Sequence, residues 1–195
     1  SHCQKCDLRT PPRAHHCNVC DKCILKRDHH CYFLGVCIGF KNQRYFVIMT
    51  FYGAVVSFWG LYLSLVYFSN NIWPFVSLSD VFLPVTFYRT IFGDFSFNHF
   101  LIVYHMYCFA CFGPVATFYF SSQFTIISKG VTLYELAKNV PVRNTNSIDK
   151  NFRSVFGDFW YVNFVFPGQI LFHQTEDGYF WDGIKVLNSH EKSMK

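Results

Sequence analysis

Residues 45–127 are 83 consecutive positions that carry three formal charges, one Arg and two Asp. Few folds accept such a stretch. Within it, residues 45–69 (YFVIMTFYGAVVSFWGLYLSLVYFS) hold no Asp, Glu, Lys or Arg. A helix needs about 20 apolar residues to cross a hydrocarbon core of roughly 30 Å, so this run can span with some tilt. Residues 100–127 (FLIVYHMYCFACFGPVATFYFSSQFTII) are also uncharged and make a second span, interrupted by His105 and Pro114. Proline is tolerated there when neighbours satisfy the freed carbonyl. An intramembrane His is either a functional group or a hydrogen-bonded packing residue, and Cys108 and Cys111 read as small packing residues. Two buried helices of a soluble protein are the alternative, but soluble helices of this length carry a polar face. Disorder is excluded, because 51% of the chain is hydrophobic and only 15% charged.

The remaining charge is unevenly placed. Residues 1–44 hold 8 Lys+Arg against 3 Asp+Glu, and residues 128–195 hold 8 against 7. Lys41 and Arg44 precede the first span and Lys129 follows the second, so the positive-inside rule puts both outer ends in the cytosol. Residues 70–99 form the connection on the luminal or extracellular side, with an aromatic-rich stretch expected at the interface or partly re-entrant. Tyr45, Trp59, Tyr67 and Trp73 are candidate interfacial anchors. Lys26-Arg27 reads as a solvated pair that can also face anionic lipid. Ser1 is not an initiator methionine and no charged-then-apolar leader precedes the cysteines, so the chain reads as truncated at its N-terminus.

Seven of the nine cysteines fall in residues 1–37. Their spacing is C-x2-C-x9-H-C-x2-C-x2-C, four residues, then D-H-H-C-x5-C. Zinc favours thiolate sulfur and imidazole nitrogen, four at a time, and short C-x2-C turns bring two sulfurs to one ion. The segment has no large apolar core, as expected where metal supplies the folding energy, and a cytosolic location argues against disulfides. Seven Cys and five His lie between His2 and Cys37, whereas two closed sites need eight ligands. A free Cys near a free His preceded by Asp is the material of a nucleophile, base and orienter set. Asp28, His29 and Cys31 are that set if His30 is a ligand. A basic, Cys-rich start would also suit a nucleic-acid-binding zinc ribbon. That reading leaves the spans and the spare set without a role, so no nucleic-acid partner is expected.

Asp28-His29-His30-Cys31, inside this framework and followed by a membrane span, resembles the DHHC-type protein S-acyltransferases, the palmitoyltransferases. The likeness is dense over residues 3–46 and looser through the spans and tail. Members usually have four transmembrane helices, with the cysteine-rich domain between the second and third. The resemblance thus implies that 45–69 and 100–127 are the third and fourth, the first two being absent from this chain. It implies that Cys3, Cys6, His16 and Cys23 hold one structural Zn²⁺, and Cys17, Cys20, His30 and Cys37 a second, in interleaved fashion. It marks Cys31 as the acylated nucleophile, His29 as its base and Asp28 as the group orienting His29. Where the family commonly has Pro-Trp-x-x-Asn-Cys, this chain has Tyr32-Phe33-Leu34-Gly35-Val36-Cys37; the cysteine spacing survives while the wall beside Cys31 changes. Thr132-Leu133-Tyr134-Glu135 is similar to the family's Thr-Thr-x-Glu with one Thr lost, and the tail stretch around Asn151 to its C-terminal aromatic/Asn motif, where Asn satisfies backbone groups near the membrane. No internal repeat is read beyond the two interleaved ligand sets.

The expectations follow. The fold is a mainly α membrane protein: a two-zinc domain with short β-hairpins over 1–44, helices over 45–69 and 100–127, the connection 70–99, and a mixed cytosolic tail over 128–195. The activity is transfer of a long-chain acyl group from acyl-CoA through Cys31 to cysteines of substrate proteins, at the cytosolic face of an endomembrane or the plasma membrane. Arg9, Arg13 and His15 are candidates for the CoA phosphates, and Phe33, Phe46, Met49 and Val56 for the acyl chain. A truncated, inactive membrane adaptor with a structural two-zinc module is the rival.

Overall fold

A computed structural model describes residues 2–72, 77–93, 95–165, 174 and 176–187. Trp73, an expected interfacial anchor, lies outside the described residues. The chain forms two compact units, one from 1–49 with 121–195 and the other from 50–120.

The first unit begins with three antiparallel hairpins: β1 (His2–Cys3) with β2 (Leu8–Arg9), β3 (His15–Cys17) with β4 (Lys22–Ile24), and β5 (His29–Cys31) with β6 (Val36–Ile38). Strands of two or three residues are not stable alone. Contrary to the expectation of no further repeat, the hairpins are copies at a 14-residue period. His2, His16 and His30 correspond, as do Cys3, Cys17 and Cys31, each Cys sitting opposite the residue five places on. The turns agree too: Asp7, Asp21 and Gly35 are all left-handed, at φ 48°, 47° and 65°. Among the cysteines the third copy departs with Leu34 where the others carry Cys6 and Cys20, and the first with Arg9 where the others carry Cys23 and Cys37.

After β6 the chain turns into the long helix α1 (Gln43–Asn71). Asn42 fixes the entry: its Oδ1 accepts from Gly39 N and its Nδ2 donates to Cys37 O, both at 2.9 Å. The C-terminal part of this unit holds the end of α3 (Phe97–Lys129), then α4 (Leu133–Ala137), β7 (Val142–Asn144), α5 (Ile148–Phe156), α6 (Val162–Val165) and β8 (Ile184–Val186), which pairs with β7. Ser147 caps α5, which buries Asn151, Phe152, Val155 and Phe156. Phe152 lies 4.6 Å from both Phe124 and Trp160, and burying each such ring stabilises by roughly 1.5–3 kcal/mol. The carbonyls at the end of α3 have no helical acceptor role left; Asn151 donates to Ser128 O at 2.9 Å and Asn144 to Lys129 O at 3.0 Å. Gly130 turns the chain at φ 69°, where a Cβ would strike the Asn144 side chain.

The second unit holds the rest of α1 and α3 with a 3₁₀ turn (Leu78–Val81) and α2 (Leu83–Phe92) between them. The expected connection over 70–99 is therefore partly helical. Pro84 favours the first turn of α2, and Arg89 pairs with the buried Asp80 at 2.5 Å. Glycines bring the long helices close: a Cβ on Gly53 would touch Ala116 at 3.6 Å, and one on Gly60 would overlap the Phe109 ring. α1 and α3 each extend past the expected spans at both ends. Of the most apolar stretch in each, only 28% and 11% is buried. Exposed Val55, Phe58, Trp59 and Leu63 on α1, and Phe112, Val115 and Phe118 on α3, are the surface of helices meant for lipid rather than of a soluble core.

Candidate functional site

The pleat of a strand sends neighbouring side chains to opposite faces. On β3 it separates His16 from Cys17, and the two join different clusters. Cys3, Cys6, His16 and Cys23 form one, and Cys17, Cys20, His30 and Cys37 the other, the ligand atoms of each within 4.8 Å of one another. These are the two sets the resemblance implies. Cys6 and Cys23 sulfurs are 3.7 Å apart, as are Cys20 and Cys37. A tetrahedron with zinc–sulfur arms of about 2.3 Å has edges of about 3.8 Å, so the spacing fits. The electrostatics fit as well. Burial and neighbouring sulfurs push the Cys23 and Cys37 thiols up to about 12. Burial opposes ionisation of Cys17 too, yet backbone N–H groups of Cys20 and Val19, the Cys37 thiol and Arg27 bring it down to about 6. Crowded sulfurs cannot all become thiolates unaided, and a dication supplies the missing charge. Both clusters are consistent with structural zinc sites.

The same pleat operates on β5. His30 turns to the second cluster, so His29 and Cys31 share the other face, and Cys31 is in neither cluster. Asp28, just before the strand, is fully buried. Its Oδ2 accepts from His29 Nδ1 at 2.7 Å and from Gln123 Nε2 at 2.6 Å, and its Oδ1 accepts from Leu133 N at 2.8 Å. Carboxylate acceptance fixes the proton on Nδ1 and leaves His29 Nε2 as the basic nitrogen; that atom is buried with no partner among the described residues. Phe46 closes the other side, its ring 5.1 Å from that of His29 in an edge contact. Cys31 is half-buried, and Tyr32 and Phe33 beyond it are exposed. A thiol on the same strand face as a carboxylate-oriented imidazole is suited to nucleophilic chemistry.

α4 holds this arrangement from behind. Thr132 and Glu135 form a reciprocal capping box, Thr132 N donating to Glu135 Oε2 at 2.8 Å and Glu135 N to Thr132 Oγ1 at 3.2 Å. The lost second Thr of the resemblance is Leu133, and the backbone N–H that any residue keeps makes the Asp28 contact.

The expected phosphate-binding cations separate. Arg9 is exposed. His15 is half-buried and stacked on Tyr134 at 4.2 Å, and burial holds its pKa below the usual imidazole value, with Arg27 and Arg13 adding to the effect against Glu135. Arg13 departs from the expectation. Its side chain is 1% exposed, with Nε and Nη2 donating to Glu135 at 2.7 and 2.8 Å and Nη2 also to Gly130 O at 3.0 Å. A guanidinium buried on its own carboxylate is out of a phosphate's reach. Lys26 and Arg27 are likewise not a solvated pair. Lys26 is buried over the Trp181 ring at 5.2 Å, and Arg27 donates to His16 O at 2.7 Å while lying over Tyr134. Met49 is exposed on α1, and Val56, also exposed, belongs to the second unit. His105 is exposed and contacts Leu101 O at 2.6 Å, a bond within its own helix.

Sequence reading missed Gln43 and Gln123. Both are 1% exposed, and Gln43 Nε2 donates to Gln123 Oε1 at 3.0 Å. For Gln123 a signal was present, an amide inside the uncharged run 100–127; Gln43 lies just before the first expected span and carried none. Comparison with known proteins finds one family model, described as DHHC palmitoyltransferase, matching residues 1–140. No match was found among curated proteins.

Proposed function

From the premise that this chain belongs to the DHHC palmitoyltransferase family, we propose that it is a protein S-acyltransferase with Cys31 as nucleophile. The observation that carries the reading is the 2.7 Å Asp28–His29 contact beside a cysteine outside both ligand clusters. His29 Nε2 takes the Cys31 thiol proton. The thiolate adds to the thioester carbonyl of a long-chain acyl-CoA, the carbon–sulfur bond to CoA breaks, and the His29 proton goes to the departing CoA thiolate. In the second half, His29 deprotonates a substrate protein's cysteine, which attacks the acyl–Cys31 thioester; the carbon–sulfur bond to Cys31 breaks and the His29 proton returns to the Cys31 thiolate. Asp28 steadies the imidazolium formed in each half. Bound zinc would serve as scaffold, holding the hairpins that present β5.

Each buried acyl CH₂ contributes about 0.8 kcal/mol, so a palmitoyl chain has reason to leave water. Phe33, Phe46, Met49 and Val56 are the apolar residues proposed to meet it, and Arg9 and His15 the groups proposed for the CoA phosphates. The basic surplus of residues 1–44 supports a cytosolic active site on an endomembrane or the plasma membrane.

The test is labelling by a clickable long-chain acyl-CoA. Wild type should acquire a hydroxylamine-sensitive label, and Cys31→Ser should lose it while retaining two zinc ions per chain. Wild type left unlabelled, under conditions that label another member of the family, would make the chain an inactive membrane adaptor. Loss of zinc in Cys31→Ser would make Cys31 a ligand.

A further inference from the structure

Gln43 and Gln123 occupy places where an apolar side chain would cost less. Each sits on a long, largely apolar helix, each is 1% exposed, and Gln43 Oε1 is buried without a partner among the described residues. A buried carbonyl left unpaired loses its hydration with nothing in return. Such an expense is typical of positions kept for a site rather than for the fold.

The direction of the chain of bonds is set by its last member. An ionised carboxylate can only accept. Gln123 must therefore aim its NH₂ at Asp28 Oδ2 and its carbonyl away, and that carbonyl then requires the NH₂ of Gln43. Every donor points toward Asp28. Gln123 and His29 meet the same oxygen, at 2.6 and 2.7 Å, while Leu133 N takes the other. The carboxylate is thus held on both oxygens, and its plane relative to the imidazole is fixed.

From this geometry we infer that Gln123 is a positioning residue for the acyl-transfer reaction and that Gln43 orients Gln123. The inference rests on the acyltransferase reading above. Gln123 touches neither substrate nor the reacting sulfur. It acts by holding the Asp28 carboxylate in plane, so that His29 Nε2 stays aimed. Removing an orienting group of this kind typically costs about 10- to 100-fold.

The experiment measures kcat and KM of Cys31 acylation by a clickable long-chain acyl-CoA, in the full chain in detergent or lipid. Gln123→Leu should lower kcat about 10- to 100-fold with KM for acyl-CoA within about two-fold and zinc unchanged. Gln123→Glu keeps the shape but sets a second carboxylate against Asp28 Oδ2, and it should lower kcat at least as far, again with KM and zinc unchanged. Gln43→Leu should give a smaller loss of the same sign, and it carries the test should Gln123→Leu lose its metal. A labelled wild type with Gln123 and Gln43 variants of unchanged kcat, or with a loss that appears in KM instead, would overturn this inference alone. An unlabelled wild type would overturn the function together with it.

Discussion

Lys26 lies buried against Trp181, and its amine is brought down to about 7, chiefly by burial and further by Arg13, which Asp28, Glu135 and Glu176 only partly offset. In the unfolded chain it titrates near about 10.4. Between those values the unfolded state binds more protons than the folded one, so stability rises with pH through the window and is lowest below it, where the folded state must bury a charge. Lys26→Met keeps the stem and drops the amine. Its melting temperature should exceed that of wild type at pH 7, with the difference narrowing toward pH 10. A difference constant across that range, read as wild type minus variant, would mean the amine is not buried as described. Ligand stoichiometry pointed to Asp28, His29 and Cys31 on the condition that His30 is a ligand, and the family resemblance supplied that condition. The sequence did not show the environments of Lys26, Arg13 or Gln123, because their partners lie on the order of a hundred residues away and spacing carries no information across that distance.

α4 has only five residues, too few to persist by its own propensity. It exists because its capping box is tied to Arg13, and because Asp28 takes the N–H of Leu133. Glu135→Gln would leave the Arg13 guanidinium buried without its carboxylate, which costs about 3–5 kcal/mol. Thermal unfolding should show that loss, and Arg13→Met combined with Glu135→Leu should recover much of it. Failure of the double variant to recover would assign the loss to the cap rather than to the charge pair. Among elements, the long spans were legible from length and absence of charge. α2 was not, since ten residues with an amphipathic pattern in an aromatic-rich stretch read equally well as an interfacial loop. The hairpin repeat was visible in principle at a 14-residue period. It was hidden because the third tip replaces a cysteine with Leu34.

At the scale of the molecule, one unit is assembled from both ends of the chain and the other from its middle. The hairpins of the first are too short to fold without metal, whereas α1 and α3 satisfy their own backbone hydrogen bonds in lipid. Chelation at mildly acid pH, where thiolates and imidazoles are protonated away from metal, should expose protease sites both in 1–49 and in 121–165. The helical circular dichroism of the spans should persist. Cleavage confined to 1–49 would show that the two ends do not unfold together.

Two of the three donors on Asp28 come from Gln123 and Leu133, 95 and 105 residues further along the chain. A ribosome adding about 5–20 residues per second needs roughly 5 to 20 s to reach them. During that interval the nascent protein carries the proposed nucleophile beside a carboxylate still missing those two donors. On the proposed function, a polypeptide released early keeps all four residues 28–31 without the contacts that hold Asp28, so premature termination yields a mute product rather than an unregulated one.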